Sequence, residues 1–349
     1  MKVDSEVKLD FTDVLFRPKR STLSSRSEVN VERTLKFKHS GRTWTGVPII
    51  SSNMDTVSCV DMFKELSKYK MLTCFHKFIN IYDVIQVCKE ENYSSEYFML
   101  SSGITDRDFQ KTKENVELLK NAGIDTHFIC IDVANGYMFK LLDFCKRMRK
   151  EFPDVTLIAG NVVTREIVEE LIICGVDVVK VGIGSGAVCT TRLQTGVGMP
   201  QFSAVMECSD AAHGVGGMII SDGGICYPGD VSKAFGGGAD FVMIGSMFAG
   251  HTECPGEIIE DHRGKQYKLF YGMSSDTAMN KHHGGVASYR SSEGKTVKVP
   301  LKGPVEGTIQ NILGGVRSTC TYVGASRLKD LAKCATFVRV NRQVNTFYN

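Results

Sequence analysis

Eight short apolar runs, each four to seven residues long, are spaced along the chain with longer mixed segments between them. They are Val47–Asn53, Met71–His76, Phe98–Ser102, Phe128–Val133, Leu157–Val162, Val178–Ile183, Met218–Ser221 and Phe241–Gly245. Near-continuous apolar strands separated by helix-length segments predict a parallel sheet covered on both faces. The connecting segments carry the helical period. In Tyr137–Phe152, for example, Leu141, Leu142, Cys145, Met148 and Phe152 share one face, and Pro153 follows. A faint repeat, Ala122-Gly123-Ile124-Asp125, Cys174-Gly175-Val176-Asp177 and Gly238-Ala239-Asp240, precedes three of the strands. In each, glycine supplies a helix C-cap before the chain enters the sheet.

Eight such units predict an α/β fold, a (β/α)8 TIM barrel, rather than an open doubly wound sheet. An open sheet would need a GxGxxG turn after its first strand, and that strand ends in Ser-Ser-Asn-Met-Asp instead. The polar and glycine residues after the strands fall at Ser51–Asp55, His76-Lys77, Ser101–Gly103, Asp132–Gly136, Gly160-Asn161, Ser221–Gly224 and Gly245-Ser246. A barrel gathers these on its C-terminal face, where active sites lie. The rhythm breaks from about His251 to Tyr322, and this stretch is expected to be an irregular flap over that face. His282-His283 lies in it beside two glycines with no third ligand spaced with the pair, so a solvated loop is expected there. One domain over 1–349 follows: an extension over 1–45, read as a hairpin under the barrel or a neighbour contact; barrel units over 46–250; and flap and C-terminal segment over 251–349.

Composition narrows the class. Of 349 residues 42% are hydrophobic and 23% charged, as in soluble globular proteins, and the net charge of +3 gives no strong attraction to nucleic acid or membranes. Twelve cysteines include no CxxC pair, which argues against zinc and against a disulfide scaffold. With an opening run that lacks the apolar core of a signal peptide, a cytoplasmic enzyme with reduced thiols is expected.

The richest stretch is Val181-Gly182-Ile183-Gly184-Ser185-Gly186-Ala187-Val188-Cys189-Thr190-Thr191-Arg192. Its glycines let backbone approach a ligand or ion closely, and a thiol, two hydroxyls and a guanidinium follow. Loop position and polar neighbours mark Cys189 as a nucleophile rather than a core cysteine. Ser221-Asp222-Gly223-Gly224 and Gly245-Ser246 end the seventh and eighth strands, where barrels bind phosphate through backbone N–H groups. Asp222 would repel a phosphate and is read as accepting from sugar hydroxyls. A nucleotide whose base reaches Cys189 fits this layout.

These runs, with Ile131–Tyr137, Ala159–Thr164 and Tyr271-Gly272-Met273-Ser274-Ser275, are similar to the IMP dehydrogenase / GMP reductase superfamily over essentially the whole chain. Within it the chain resembles the eukaryotic-type reductase branch. No regulatory insert of about 120 residues interrupts the early barrel units. In place of the dehydrogenase's water-activating Arg-Tyr pair stands Ser288-Tyr289-Arg290-Ser291-Ser292-Glu293-Gly294. The resemblance implies reductive deamination of GMP to IMP and ammonia at the expense of NADPH, a step of purine salvage. It implies Cys189 as the nucleophile that forms a thioimidate, Thr191 and Glu293 as a proton relay and Lys77 as a cationic helper.

The resemblance further implies substrate contacts from Asp222, Gly223, Gly224, Gly245, Ser246, Gly272, Met273, Ser274, Arg290, Ser291, Ser292, Glu293 and Gly294. Cofactor contacts are implied for Lys77, Asp132, Val133, Ala134, Ile183, Gly184, Met273, Tyr289 and Arg290. Ser25, Arg26, Ser318, Thr319, Cys320 and Thr321 are implied to reach the cofactor from another subunit of a homotetramer. Gly184, Gly186, Cys189 and Arg192 correspond to a monovalent-cation site, with potassium as the ion. Two other readings stay open at this stage: an IMP dehydrogenase, and a nucleotide-binding barrel without catalysis.

Overall fold

A computed structural model describes residues 3–285, 288–289 and 291–341. Eight parallel strands close into a barrel in sequential order, and the eighth, Phe241–Ile244, pairs with the first, Ile49–Ser51. The others are Leu72–Cys74, Phe98–Ser102, Phe128–Asp132, Thr156–Val162, Val178–Val181 and Met218–Asp222. All eight expected runs are strands, each within a few residues of its expected bounds. The repeated glycine turns also do what the sequence predicts. Gly123, Gly175 and Gly238 have φ of +77°, +116° and +109°, the left-handed geometry that ends a helix and turns it toward the next strand.

Strand alternation splits the apolar residues into two sets. Ile49, Ile129, Leu157, Val179, Ile219 and Val242 face the surrounding helices, while Ile50, Leu72, Met99, Cys130, Ile158 and Ile220 fill the barrel. Both sets are buried, which explains why the runs are apolar without interruption. The N-terminal extension forms the expected hairpin, Arg33–Lys36 with Thr43–Gly46, and it plugs the bottom of the barrel. Trp44 and Phe37 meet Phe241 and Phe128 there, with ring centroids 5.5 and 5.6 Å apart.

The flap departs from expectation in one respect: it is regular. Ile259–Glu260, Gln266–Tyr271 and Thr296–Pro300 make a three-stranded antiparallel sheet, with the helix Asp276–His283 inserted before the last strand. Gly and Ser between short apolar stretches hid the strands from a reading tuned to longer runs. The eighth barrel helix, Glu306–Val323, follows the flap. Val14–Phe16 pairs with Phe337–Arg339, a long-range match that carries no local signal.

Candidate active site

The loop after the sixth strand is shaped by its glycines. Gly182 has φ of +152°, and a Cβ on it would lie 1.9 Å from the Asp222 carbonyl oxygen, so the sixth and seventh strand ends meet backbone to backbone. Gly184 and Gly223 also have positive φ. The loop then presents Cys189 at the mouth of the barrel, half-buried.

Flap and loop are stitched together by main-chain bonds. Cys189 pairs with Gly294, and Gly294 also bridges to Ser275. The Thr190 N–H donates to the Glu293 carbonyl (2.8 Å), and the Lys295 N–H to the Val188 carbonyl (2.9 Å). A Cβ on Gly294 would stand 3.0 Å from the Ser275 nitrogen, which is why the crossing needs a glycine. The result is a directed chain: the Cys189 thiol donates to Thr191 Oγ1 (3.2 Å), and the Thr191 hydroxyl donates to Glu293 Oε2 (2.7 Å). Three residues more than a hundred positions apart in sequence at their extremes thereby form one path for a proton.

Three adjoining cavities surround this path. The one at Cys189, about 240 Å³, is lined by Asn161, Lys180, Ile183, Gly184, Thr191, Asp222, Gly272, Met273 and Glu293 among others. A second, about 510 Å³, shares Asn53, Asp132, Val133, Ala134, Met273, Ser274 and Glu293 with it and adds His76, Lys77, Phe78 and Ser291. A third, about 80 Å³, is lined by Gly223, Gly224, Gly245, Ser246 and Gly186. Many of the expected substrate and cofactor residues thus divide among one thiol compartment, one wide cleft and one small glycine-walled end. Lys77 faces the wide cleft and lies 3.7 Å from Asp108, which caps the helix Asp106–Asn121 through Thr105. In the small compartment the Gly224 N–H is committed to the Ser185 carbonyl (2.9 Å), so it is not a donor for a ligand.

Some expected residues sit elsewhere. Ser25 and Arg26, at the short turn of helix Arg26–Glu28, and Ser318–Thr321, on the helix Glu306–Val323, line none of these cavities. Cys320 is fully buried, and burial pushes its thiol up to about 12, so its side chain is closed to any ligand. Tyr289 stands 87% exposed, and Arg290 lies outside the described residues. Ser291 bonds Gln194 (3.2 Å) and Ser292 bonds the Gly294 carbonyl (3.0 Å), each steadying the flap strand. Arg192 turns its guanidinium to Asp10 (3.2 Å) and the Met199 carbonyl (2.6 Å), and its own carbonyl accepts from Gly196.

His282 is not in a solvated loop. It ends the flap helix, its ring stacks on Phe78 at 3.8 Å, and its Nε2 lies 2.6 Å from Asp55 Oδ2. Tyr271 and Lys281 also bond that buried carboxylate, at 3.0 and 2.9 Å. Burial opposes ionisation of Asp55, but Lys281 and His282 outweigh it and hold the carboxyl below its usual range. Asp55 therefore fastens the flap to the loop after the first strand.

Sequence reasoning missed Lys180. Inside the barrel its ammonium lies 2.6 Å from Asp132 Oδ1 and 3.1 Å from Asp222 Oδ2, and the residue is 3% exposed. Asn53 donates to Asp132 Oδ2 and Asn161 to Asp222 Oδ2, both at 2.9 Å. A lysine two residues after Val178 was the available signal, because alternation turns both toward the barrel axis. Asp222 is thus bound to Lys180 and Asn161 through Oδ2, in addition to facing the thiol compartment.

A (β/α)8 barrel that sets a cysteine, a hydroxyl and a carboxylate in line beside a divided, glycine-walled cleft has the layout of an enzyme. The chain belongs to the IMP dehydrogenase / GMP reductase family: the model of that domain matches residues 8–345. It is 56% identical over 350 residues to a GMP reductase of Enterobacter sp. (strain 638). The match to a GMP reductase of Vibrio parahaemolyticus is 56% over 349 residues, and to one of Escherichia coli O157:H7 57% over 353. Each alignment covers 100% of this chain and 99% of the relative. These relatives are bacterial.

Proposed function

We propose that this protein is a GMP reductase that converts GMP to IMP and ammonia through a thioimidate on Cys189. The observation that carries the reading is the Cys189–Thr191–Glu293 chain opening onto adjoining cavities of about 240 and 510 Å³. The relatives' shared name, at 56% identity over full length, agrees with it.

The direction of the hydrogen bonds supports a proton route. The thiol proton passes through the Thr191 hydroxyl to Glu293, leaving a thiolate and a neutral carboxylic acid. The thiolate bonds to carbon 2 of guanine, and the departing amine takes the proton from Glu293 and leaves as ammonia. NADPH, when bound, supplies the hydride that replaces the amine at carbon 2. Cys189 is expelled as thiolate and recovers one proton from solvent. The sum is GMP, NADPH and one proton in, and IMP, ammonia and NADP⁺ out.

The residues present suit the cofactor. The wide cleft has small and apolar walls at Val133, Ala134 and Met273 for a flat ring, and Lys77 offers a cation. Ser25, Arg26 and Ser318–Thr321 lie together on one flank away from the cleft, which fits contribution to a neighbour's cofactor site in a homotetramer. Arg26 suits a phosphate, since guanidinium matches phosphate oxygens. The loop of Gly184, Gly186 and Cys189 offers carbonyl oxygens without a carboxylate, a donor set suited to a monovalent cation such as potassium, and the Arg192 guanidinium is turned away from it. Among the described residues no group of three His, Cys, Asp or Glu side chains could hold a metal ion, and no helix is long and apolar enough to cross a membrane. A cytoplasmic location accords with the unpaired thiols.

Mixing the protein with GMP and NADPH should consume reduced cofactor and release ammonia in a one-to-one ratio. Oxidation of NADPH without ammonia, or no oxidation, overturns the assignment. Glu293→Gln should slow ammonia loss about 10²–10⁴-fold and hydride transfer far less, because only the first step needs its proton. Running IMP with NADP⁺ alone isolates the hydride step, and adding ammonia completes the reverse reaction. An equal fall in both would make Glu293 a positioning residue. Arg26→Ala should weaken NADPH binding and spare GMP affinity. After subunit exchange with Cys189→Ala, hybrid assemblies should regain part of the activity, and a mixture that never complements would refute the shared site.

A further inference from the structure

Lys180, inside the barrel, is a charged group that the proposed reaction leaves without a task. Alternation puts it on the axis, where its neighbours on adjacent strands are otherwise apolar or small. Room for it is provided locally: a Cβ on Gly160 would lie 2.3 Å from the Lys180 carbonyl oxygen and 2.7 Å from its Cβ. Replacing a buried ion pair by apolar residues is often neutral or favourable for stability, so packing alone does not account for a cation here.

Its two partners differ in what they reach: only one of them borders the wide cleft. Asp132 stands at the boundary and lines both the wide cleft and the thiol compartment, whereas Asp222 lines the thiol compartment and the small glycine-walled end but not the wide cleft. The side chains of the two aspartates are 34% and 21% exposed, each with an edge turned toward its cavity, whereas that of Lys180 is 4% exposed. Burial opposes the lysine's charge, but Asp132 and Asp222 outweigh burial and hold its pKa well above the ordinary value. A single fixed cation is therefore divided between two carboxylates. Asn53 braces the other oxygen of Asp132, and Asn161 shares Asp222 Oδ2 with the ammonium.

Resting on the reductase reading, we propose that Lys180 is a positioning residue that couples the nucleotide compartment to the cofactor compartment by sharing its ammonium between Asp222 and Asp132. A ligand hydroxyl that donates to Asp222 takes over part of the ammonium's role there. The ammonium then leans on Asp132, already the nearer partner, and offsets its charge. The wall met by a neutral dihydronicotinamide becomes less negative, so GMP tightens NADPH. By linkage, NADPH tightens GMP by the same factor. The cationic oxidised ring gains less from an offset Asp132, so NADP⁺ is tightened less.

Calorimetric titration in a Cys189→Ala background lets GMP and NADPH bind together without turnover. With Lys180 present, saturating GMP should lower the NADPH dissociation constant at least about fivefold, the lower end of typical coupling, with a smaller factor for NADP⁺. Lys180→Met should bring the factor within about twofold of one, whereas Lys180→Arg, which keeps a shared cation, should restore part of it. If Lys180→Met does not fold, Lys180→Met with Asp132→Asn keeps the cluster's net charge and should also show no coupling. A factor near one with Lys180 in place, or a full factor after its removal, overturns the coupling. Failure of either GMP or NADPH to bind the Lys180-containing protein overturns the reductase reading itself.

Discussion

Cys189→Ala should abolish steady-state reduction of GMP while GMP binding stays within a few-fold of the unmodified protein. In the proposed reaction the thiol forms its bond only during turnover, and affinity is expected from contacts along the rest of the nucleotide. The side chain is half-buried and makes one hydrogen bond, to Thr191, so its loss disturbs little. Thr191 keeps Glu293, and the main-chain bridge from residue 189 to Gly294 does not depend on the side chain. Turnover above a contamination control, measured as NADPH absorbance with ammonia assayed in parallel, would exclude the covalent route.

Gly182→Ala should cost about 3 kcal/mol of stability and most of the activity. A methyl group 1.9 Å from the Asp222 carbonyl oxygen must push apart two strand ends, and overpacking of this kind costs roughly 1–3 kcal/mol before the unfavourable φ of +152° is added. The displaced segments carry Cys189 on one side and Asp222 on the other. Gly196→Ala is the control: φ is +71°, yet nothing lies within 4 Å of its Cβ, so only the left-handed penalty of about 1–2 kcal/mol remains. Thermal midpoints of the two variants should rank in that order. An equal fall would mean that the contact with Asp222 is relieved by movement without cost.

The barrel was legible because its signal is repeated and local. Eight apolar runs and three glycine stops each report on a few neighbouring residues, and closure follows from their number. The thiol, the hydroxyl and the polar strand ends were legible for the same reason. Lys180 was not, because a single lysine within Val178–Val181 reads as noise until alternation is applied residue by residue. His282 was misread because its environment is made by Asp55 and Phe78, some two hundred positions away. The flap sheet depends on pairing Gln266–Tyr271 with Thr296–Pro300 across an intervening helix, and no local pattern announces such a register.

The bridge between Gly294 and the Cys189 loop also sets where Glu293 stands relative to Thr191. Glu293 belongs to the segment that covers the cleft, so any movement that uncovers the cleft also withdraws the acceptor from Thr191. Without that acceptor the hydrogen bond from Cys189 to Thr191 leads to no carboxylate. The same backbone ladder that joins the flap to the loop thereby completes the Cys189–Thr191–Glu293 path.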